Sequence, residues 1–560
     1  MTNPFIALLS TVVRVQQQAY LRKLSRAEAI QGKFLQTLLR HHQDTQLGQA
    51  LKLSKITTVE QFRQQVPVWP YSNYATYFER TAAGEQNVVT PDPVQYLNLS
   101  SGSTGAQKLI PVTARSQRKG AYANQVAMGF GLARAQQRRL SVGRLMMTAC
   151  ANPLGVTRGG IPYGHVSGNH LRNSQSWLYR QIFVQPFEAM QVSDTAARNY
   201  VCLLFALRDR NLGVIAATFP MVALQLGRYL DTYAESLIED LASGEISEAI
   251  KLAPDLRYQL SQLFKAAPQR AKELAQIYQA QGSLRPKHAW PHLAFLITAR
   301  GGPSDFYFER FGEYFGDLPV FGGTYASSEA VFGSYIDFDA DGTLLAIESN
   351  FYEFVPINQW ETDPPQTLLP HEVKVGEFYR ILVTNYSGFY RYDIGDVVEV
   401  LGFRQQVPLI TFRYRRGGTL SAISEKTTEH HVAQAVAALQ AQSTLTIEDF
   451  CVTLSPDLLT PRYILNLELP ENAPLPKLQQ ILTDFDRSLQ SANVSYALKR
   501  EKNDILAPEL TIVKPGSFRQ LRQQRLKPGQ FESVDIKMPH ISCDRTLLEG
   551  LTVEQRFRLD

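Results

Sequence analysis

The sequence predicts an α/β protein of two domains, a large N-terminal one over residues 1–425 and a small C-terminal one over residues 426–560. Three observations predict it. The chain has 560 residues, more than one hydrophobic core commonly serves. Short apolar runs that read as strands are interleaved with helical stretches, the pattern of a largely buried sheet flanked by helices. Past "GGTLSAISEKTTEHHVAQAVAALQ" the pattern starts afresh, and small polar residues from Ser424 to Thr428 mark the break.

In chain order, residues 1 to 65 carry apolar side chains at helical spacing, most clearly in "RVQQQAYLRKLSRAEAIQGKFLQTLLR". The apolar "FIALLSTVV" ahead of it is short and lacks a basic leader, so it reads as a packed helix rather than a signal peptide. From Val66 to Pro70 and Asn87 to Leu99 the pattern shifts to short apolar runs punctuated by proline. Helices are predicted over 219–241 and 268–282. Strand-like runs follow in "HLAFLITAR", "LPVFGGTYA", "LLAIESNFYEFVP", "EFYRILVTNYSGFYRYDIGDVVEVLGF" and "LITFRYR". The C-terminal unit reads as a helix, the strands "FCVTLSP" and "RYILNLEL", a helix across Pro476–Asn493, and "ELTIVKPGSFRQLRQQRL".

Composition removes several function classes. With 57 basic against 52 acidic residues the net charge is only +5, and no Lys/Arg block alternates with aromatics, so no nucleic-acid partner is expected. No segment approaches the ~18 apolar residues of a membrane span, so no membrane partner is expected either. The cysteines 150, 202, 451 and 543 are far apart without a CxxC pair, which argues against a disulfide framework or zinc ribbon and for a cytoplasmic location. "HAWPH" (288–292) and His430–His431 lack zinc-ligand spacing and are expected in structural or surface roles.

The chemistry starts at "YLNLSSGSTGAQKLIPVT" (96–113). A turn needs one glycine and one short polar residue, whereas this stretch offers a concave array of backbone donors, hydroxyls and a lysine that suits phosphate. It is not a P-loop, since Lys108 follows Gln107, and it lacks the third glycine of a dinucleotide fingerprint. The order Ser-Ser-Gly-Ser-Thr-Gly-x-x-Lys instead resembles the phosphate loop of the adenylate-forming superfamily, with Gln107 where a proline commonly precedes the lysine.

Three further stretches arrive in the order that superfamily requires. "FGGTYASSEAVFG" (321–333) resembles its adenine-and-metal motif, in which Tyr325 could stack on adenine and Glu329 hold Mg²⁺, a cation that prefers oxygen ligands. The alternative is a helix start capped by Ser327 or Ser328. "YRYDIGDVVEV" (390–400) resembles the ribose-binding motif through Asp396, with a hairpin turn as the alternative. "VDIKMPHIS" puts Lys537 where the superfamily carries its catalytic lysine, the alternative being a surface lysine.

The wording of "SSGSTGAQKLIP", "TYASSEAVFG", "FYEFVP", "GFYRYDIGDVVEVLGF" and "LSAISEKTTE" resembles the Gretchen Hagen acyl-acid amido synthetases, the auxin- and jasmonate-conjugating enzymes of plants and their bacterial relatives, over roughly Val66 to His540. The resemblance implies an acyl-CoA synthetase/luciferase-like N-terminal domain and a small mobile C-terminal domain. It implies ATP and Mg²⁺ as cofactors, and a carboxylic acid and an amino acid or other amine as substrates. Residue by residue, it implies that Ser100, Ser101, Gly102, Ser103, Thr104, Gly105 and Lys108 cradle phosphates. Thr324, Tyr325 and Ser328 would meet the nucleotide, Glu329 the metal, and Asp396 the ribose, while Arg415 and Lys426 would contact the nucleotide beside the hinge. Lys537 would reach the α-phosphate and the acid carboxylate during adenylation. The helix "SQRKGAYANQVAMGFGL" would help line the acyl pocket, with Arg118 and Tyr122 the nearest candidate readers of the acid. An acyl-CoA or acyl-carrier ligase and a non-catalytic nucleotide-binding protein remain the alternatives. The identity of the acid and acceptor, and an oligomeric state for which a monomer suffices, stay open.

Overall fold

The computed structural model describes residues 4–100, 108–166, 177–415, 419–422, 425, 427–442, 445–455, 461–473, 477–501, 504–524, 538–542, 544 and 547–559. Its internal contacts divide it into two units, Met1–Ile394 with Val398–Thr411, and Gly395–Val397 with Phe412–Asp560.

The first unit opens with the helices Pro4–Leu21, Ala27–His42, Gln46–Ala50 and Val59–Gln65, as the spacing predicts over residues 1 to 65, and continues with Ser72–Ala82, which lies beyond the stretch predicted to be helical. Phe34, Leu35, Leu38 and Leu39 on one face of Ala27–His42 are buried in a core shared with the strand Phe351–Pro356. A parallel sheet runs Arg144–Met147, Leu212–Ala216, Phe295–Ile297, Val320–Phe321. Its inner strand "LGVIA" is buried throughout, which is why it is apolar at every second-face position as well. The helix predicted over 219–241 is two helices, Pro220–Thr232 and Ala234–Ser243. Tyr233 breaks it at φ −104° and ψ 21°, its ring stacked 5.7 Å from Tyr229 and edge-on to Tyr200 at 5.9 Å. Tertiary aromatic packing there overrides a helical sequence pattern.

Two antiparallel arrangements frame the motifs. Val94–Ser100 pairs with Lys108–Thr113, Ser100 lying opposite Lys108. A seven-stranded sheet has the order Phe351–Pro356, Phe378–Thr384, Tyr392–Arg404, Val407–Arg415, Thr343–Leu345, Val331–Tyr335, Thr324–Ala326. "YDIGD" is therefore no hairpin turn: it opens one 13-residue strand, with Gly395 at φ +81° inside it. The reversal comes later, at Gln405, whose φ is 57°.

The second unit is built on a five-stranded sheet ordered Ile541–Ser542, Asp449–Leu454, Tyr463–Glu468, Glu509–Val513, Val553–Arg558. The helices Glu429–Gln442 and Leu478–Ala492 pack on each other, and Leu478–Ala492 also contacts the strands Glu509–Val513 and Val553–Arg558. Phe450, Leu465, Leu467, Phe485, Leu489, Leu510 and Ile512 are buried in this unit. Among the described residues no helix is long and apolar enough to cross a membrane.

Candidate active site

Glu329 sits in the tight turn between the strands Thr324–Ala326 and Val331–Tyr335. Ser327 closes that turn: its N–H donates to the Ala330 carbonyl at 2.8 Å, and its Oγ accepts from the N–H groups of Glu329 (3.1 Å) and Ala330 (3.4 Å). The serines thus serve a hairpin turn, not the start of a helix. The turn is tied to the strand that precedes the phosphate-loop motif. Asn98 Nδ2 donates to the Ser328 carbonyl and Ser328 Oγ donates to the Leu99 carbonyl, both at 3.2 Å. From the far side Asn385 Nδ2 donates to the Glu329 carbonyl at 2.9 Å.

These ties hold a buried carboxylate beside a lysine. Glu329 is 5% exposed; Tyr392 donates its hydroxyl to Glu329 Oε1 at 3.3 Å, and Lys108 Nζ lies 3.9 Å from the same oxygen. Lys108 Nζ also donates to the Tyr392 hydroxyl at 3.4 Å and stands 5.1 Å from the centre of the Tyr71 ring. Tyr71 accepts a hydrogen bond from Leu109 N at 3.2 Å, and burial pushes its phenol up to about 12, so it stays neutral. Among the described residues nothing donates to Glu329 Oε2. One carboxylate with an open oxygen fits Mg²⁺, which takes few protein ligands and brings its phosphates with it, and the adjacent ammonium fits those phosphates.

The other predicted residues fall as follows. Ser100, 9% exposed, ends its strand opposite Lys108. Thr324 Oγ1 donates to Asn124 Oδ1 at 3.2 Å, and the half-buried Tyr325 stacks on Phe332 at 4.7 Å. Asp396 is 1% exposed and accepts from Arg415 Nε at 2.7 Å, so this pair is brought together. Ser101, Gly102, Ser103, Thr104, Gly105, Lys426 and Lys537 lie outside the described residues. Arg118 is exposed, while Tyr122 is half-buried with the Lys23 ammonium 5.7 Å from its ring centre. The histidines have local roles: His288 Nδ1 accepts from Arg285 N at 3.4 Å and His431 Nδ1 from Thr428 N at 3.2 Å.

Sequence reasoning missed Tyr392, Asn98 and Asn385, and the support behind them. Arg391, left-handed at φ 47° and 2% exposed, grips Glu353 with Nε and Nη2 at 2.9–3.2 Å. Its Nη1 also donates to the carbonyls of Arg63 (2.6 Å) and Val66 (2.7 Å). This clamp fixes the backbone immediately before Tyr392, whose ring stacks on Phe389 at 4.2 Å. Nothing in "FYRYD" separates Tyr392 from Tyr390, yet the Tyr390 hydroxyl goes elsewhere, to His42 Nδ1 at 2.8 Å. An arginine between two tyrosines at the start of a strand was the available signal.

The chain resembles known proteins along almost its whole length. Domain models described as the GH3 family N-terminal, central and C-terminal domains match residues 16–320, 343–415 and 430–546. It is 26% identical over 520 residues to jasmonoyl–L-amino acid synthetase JAR4 of Nicotiana attenuata, covering 88% of each chain. It is 26% identical over 546 residues to indole-3-acetic acid-amido synthetase GH3.10 of Arabidopsis thaliana, covering 90% of each. With 4-substituted benzoates-glutamate ligase GH3.12 of the same plant it shares 25% over 551 residues, 91% of this chain and 92% of that one. The solved structure of GH3.15 acyl acid amido synthetase superposes with a TM-score of 0.83 at 22% identity, over 97% of each chain, and so shares the fold. With all three domain models matched in order over most of its residues, the chain belongs to the GH3 family.

Proposed function

We propose that the chain is an ATP-dependent acyl-acid amido synthetase, a ligase that joins a carboxylic acid to an amino acid through an acyl-adenylate. The observation that carries this reading is the family match across the whole chain, whose relatives are named for joining acids to amino acids. In the first half-reaction a carboxylate oxygen attacks the α-phosphorus of ATP; an O–P bond forms as the bond to pyrophosphate breaks. In the second the amine attacks the acyl carbon; a C–N bond forms, the C–O bond to AMP breaks, and the amine proton leaves to solvent. Neither step needs a protein nucleophile.

What the protein must supply is charge neutralisation, because the first step brings two anions together. In this reading Lys108 and the loop Ser100–Gly105 bind phosphates, and Tyr392 holds Glu329 and Lys108 in one orientation. Glu329 would hold Mg²⁺, whose contribution when bound is to shield phosphate charge. Thr324, Tyr325 and Ser328 line the nucleotide, Asp396 with Arg415 takes the ribose, and Lys426 and Lys537 come from the C-terminal segment beginning at 426. The test is a matrix of carboxylic acids and L-amino acids incubated with ATP and Mg²⁺, scored by AMP release and mass spectrometry. Amide products are expected. Thioester formed with coenzyme A and no amide would move the chain to the acyl-CoA ligases, and ATP binding with no turnover would make it a binding protein.

A further inference from the structure

Lys108 and Glu329 carry opposite charges a short way apart, and their side chains are only 18% and 3% exposed. In such a place a lysine and a glutamate attract strongly and close to roughly 2.7–2.9 Å. Here they do not: Lys108 Nζ stands 3.9 Å from Glu329 Oε1. It is nearer to a neutral group, the Tyr392 hydroxyl at 3.4 Å, which itself donates to Glu329 Oε1 at 3.3 Å. The three atoms form a triangle whose longest side is the one between the charges.

Two corners of that triangle are fixed, and the third is the end of a flexible side chain. Tyr392 is fully buried, its ring stacked on Phe389 at 4.2 Å and edge-on to Tyr74 at 5.8 Å. The backbone on either side of it is bonded to Trp69: Trp69 N donates to the Arg391 carbonyl at 3.3 Å, and Asp393 N to the Trp69 carbonyl at 2.9 Å. Glu329 hangs from the turn that Ser327 and Asn385 hold. Lys108 is a point charge on a four-carbon stem, so its ammonium goes to the strongest acceptor within reach. Beside the hydroxyl it shares itself between a neutral acceptor and the carboxylate. With the hydroxyl gone the carboxylate has the stronger pull, and the gap closes.

Closure would harm the site in two ways. A Glu329 neutralised by Lys108 is a poorer ligand for a divalent cation, and a Lys108 committed to Glu329 must be pulled away before it can meet a phosphate. Hydrogen bonds as long as those to the hydroxyl are weak, so Tyr392 releases both partners readily. We propose that Tyr392 is a positioning residue whose hydroxyl competes with Glu329 for the Lys108 ammonium, and so keeps the phosphate-binding lysine and the metal-binding carboxylate from neutralising each other before ATP arrives. This role rests on the amido-synthetase reading and adds the device that keeps its two charged groups available.

The test is a double-mutant cycle read by calorimetric titration with ATP in EDTA, so that neither metal nor turnover enters. Tyr392→Phe keeps the ring and its packing. It should weaken ATP binding roughly 10–100-fold, the range for one contact to a charged group. In the Glu329→Gln background the same change should stay within about twofold, because no carboxylate is there to capture Lys108. Without nucleotide, the urea midpoint of Tyr392→Phe should equal or exceed that of wild type, since a closed ion pair replaces two long hydrogen bonds. In acid-dependent exchange of pyrophosphate into ATP, the half-saturating Mg²⁺ concentration should rise together with KM for ATP, while KM for the acid stays within about twofold. An equal loss of ATP affinity in both backgrounds overturns the proposal, since the hydroxyl would then touch ATP directly. So does an unchanged ATP affinity or a lower midpoint, either of which leaves Tyr392 a packing residue. Wild type that does not bind ATP overturns the amido-synthetase reading, and this role with it.

Discussion

At the scale of single residues, the first unit and the second each bring a carboxylate and a cation of the candidate site together. Glu329 and Lys108 meet through the Tyr392 hydroxyl, and Asp396 meets Arg415 at 2.7 Å. In the proposed reading the buried carboxylate of Asp396, held by Arg415, accepts from both ribose hydroxyls. Asp396→Ala should therefore weaken ATP binding by roughly 10²–10⁴-fold, since two hydrogen bonds to a charged acceptor are lost, each worth about 1.5–3 kcal/mol. Isothermal titration of the folded variant with ATP checks this; an affinity equal to wild type would mean that Asp396 serves only Arg415.

At the scale of elements, the start of the helix Ala114–Gln137 is pinned by a reciprocal cap. Thr113 Oγ1 accepts from Ser116 N at 3.1 Å, and Ser116 Oγ accepts from Thr113 N at 2.9 Å. Thr113 is fully buried, so no water can replace the lost bond. Thr113→Ala should cost about 1 kcal/mol of stability, within the usual 0.5–2 range for such caps. Urea unfolding measures the loss, and an unchanged midpoint would show that the helix start is held by packing alone.

At the scale of the whole molecule, acid should unfold the protein earlier than its carboxylates alone would require. His42 is fully buried, touched by His41, Tyr386 and Tyr390, and burial holds its imidazole down to about 3, with His41 adding to the shift, Asp92 opposing it and Arg115 adding again. Because the folded value lies below the unfolded one, the unfolded chain binds more protons between them. The contribution is whole above pH 6.5 and is lost as pH falls from there toward 3. At pH 5 the loss from His42 is about 2 kcal/mol, taking 1.36 kcal/mol per pH unit below the unfolded value. In the second unit burial lowers His430 in the same direction, to about 4. Thermal melts from pH 7 to pH 5 should show a falling Tm, with a shallower slope for His42→Asn. Equal slopes would exclude His42 as the source.

The sequence by itself determined most of the architecture: the helical N-terminus, the strands of both units and the order of the motifs follow from apolar periodicity, which is local and survives in one dimension. It also determined the family, because the order Ser-Ser-Gly-Ser-Thr-Gly-x-x-Lys and the stretches "TYASSEAVFG" and "YRYDIGDVVEV" are rare combinations whatever their surroundings. Tertiary structure alone decided the rest. It turned Ser327 from a helix cap into the lock of a hairpin turn, and it made one strand of "YDIGD". It sent the Tyr392 hydroxyl to Glu329 and that of Tyr390 to His42, although the two tyrosines flank the same arginine. The physical reason is common to all of these. Which hydroxyl, ammonium or amide finds a partner depends on residues that are distant in the chain, such as Lys108 and Tyr392, 284 positions apart, and no local pattern encodes that meeting.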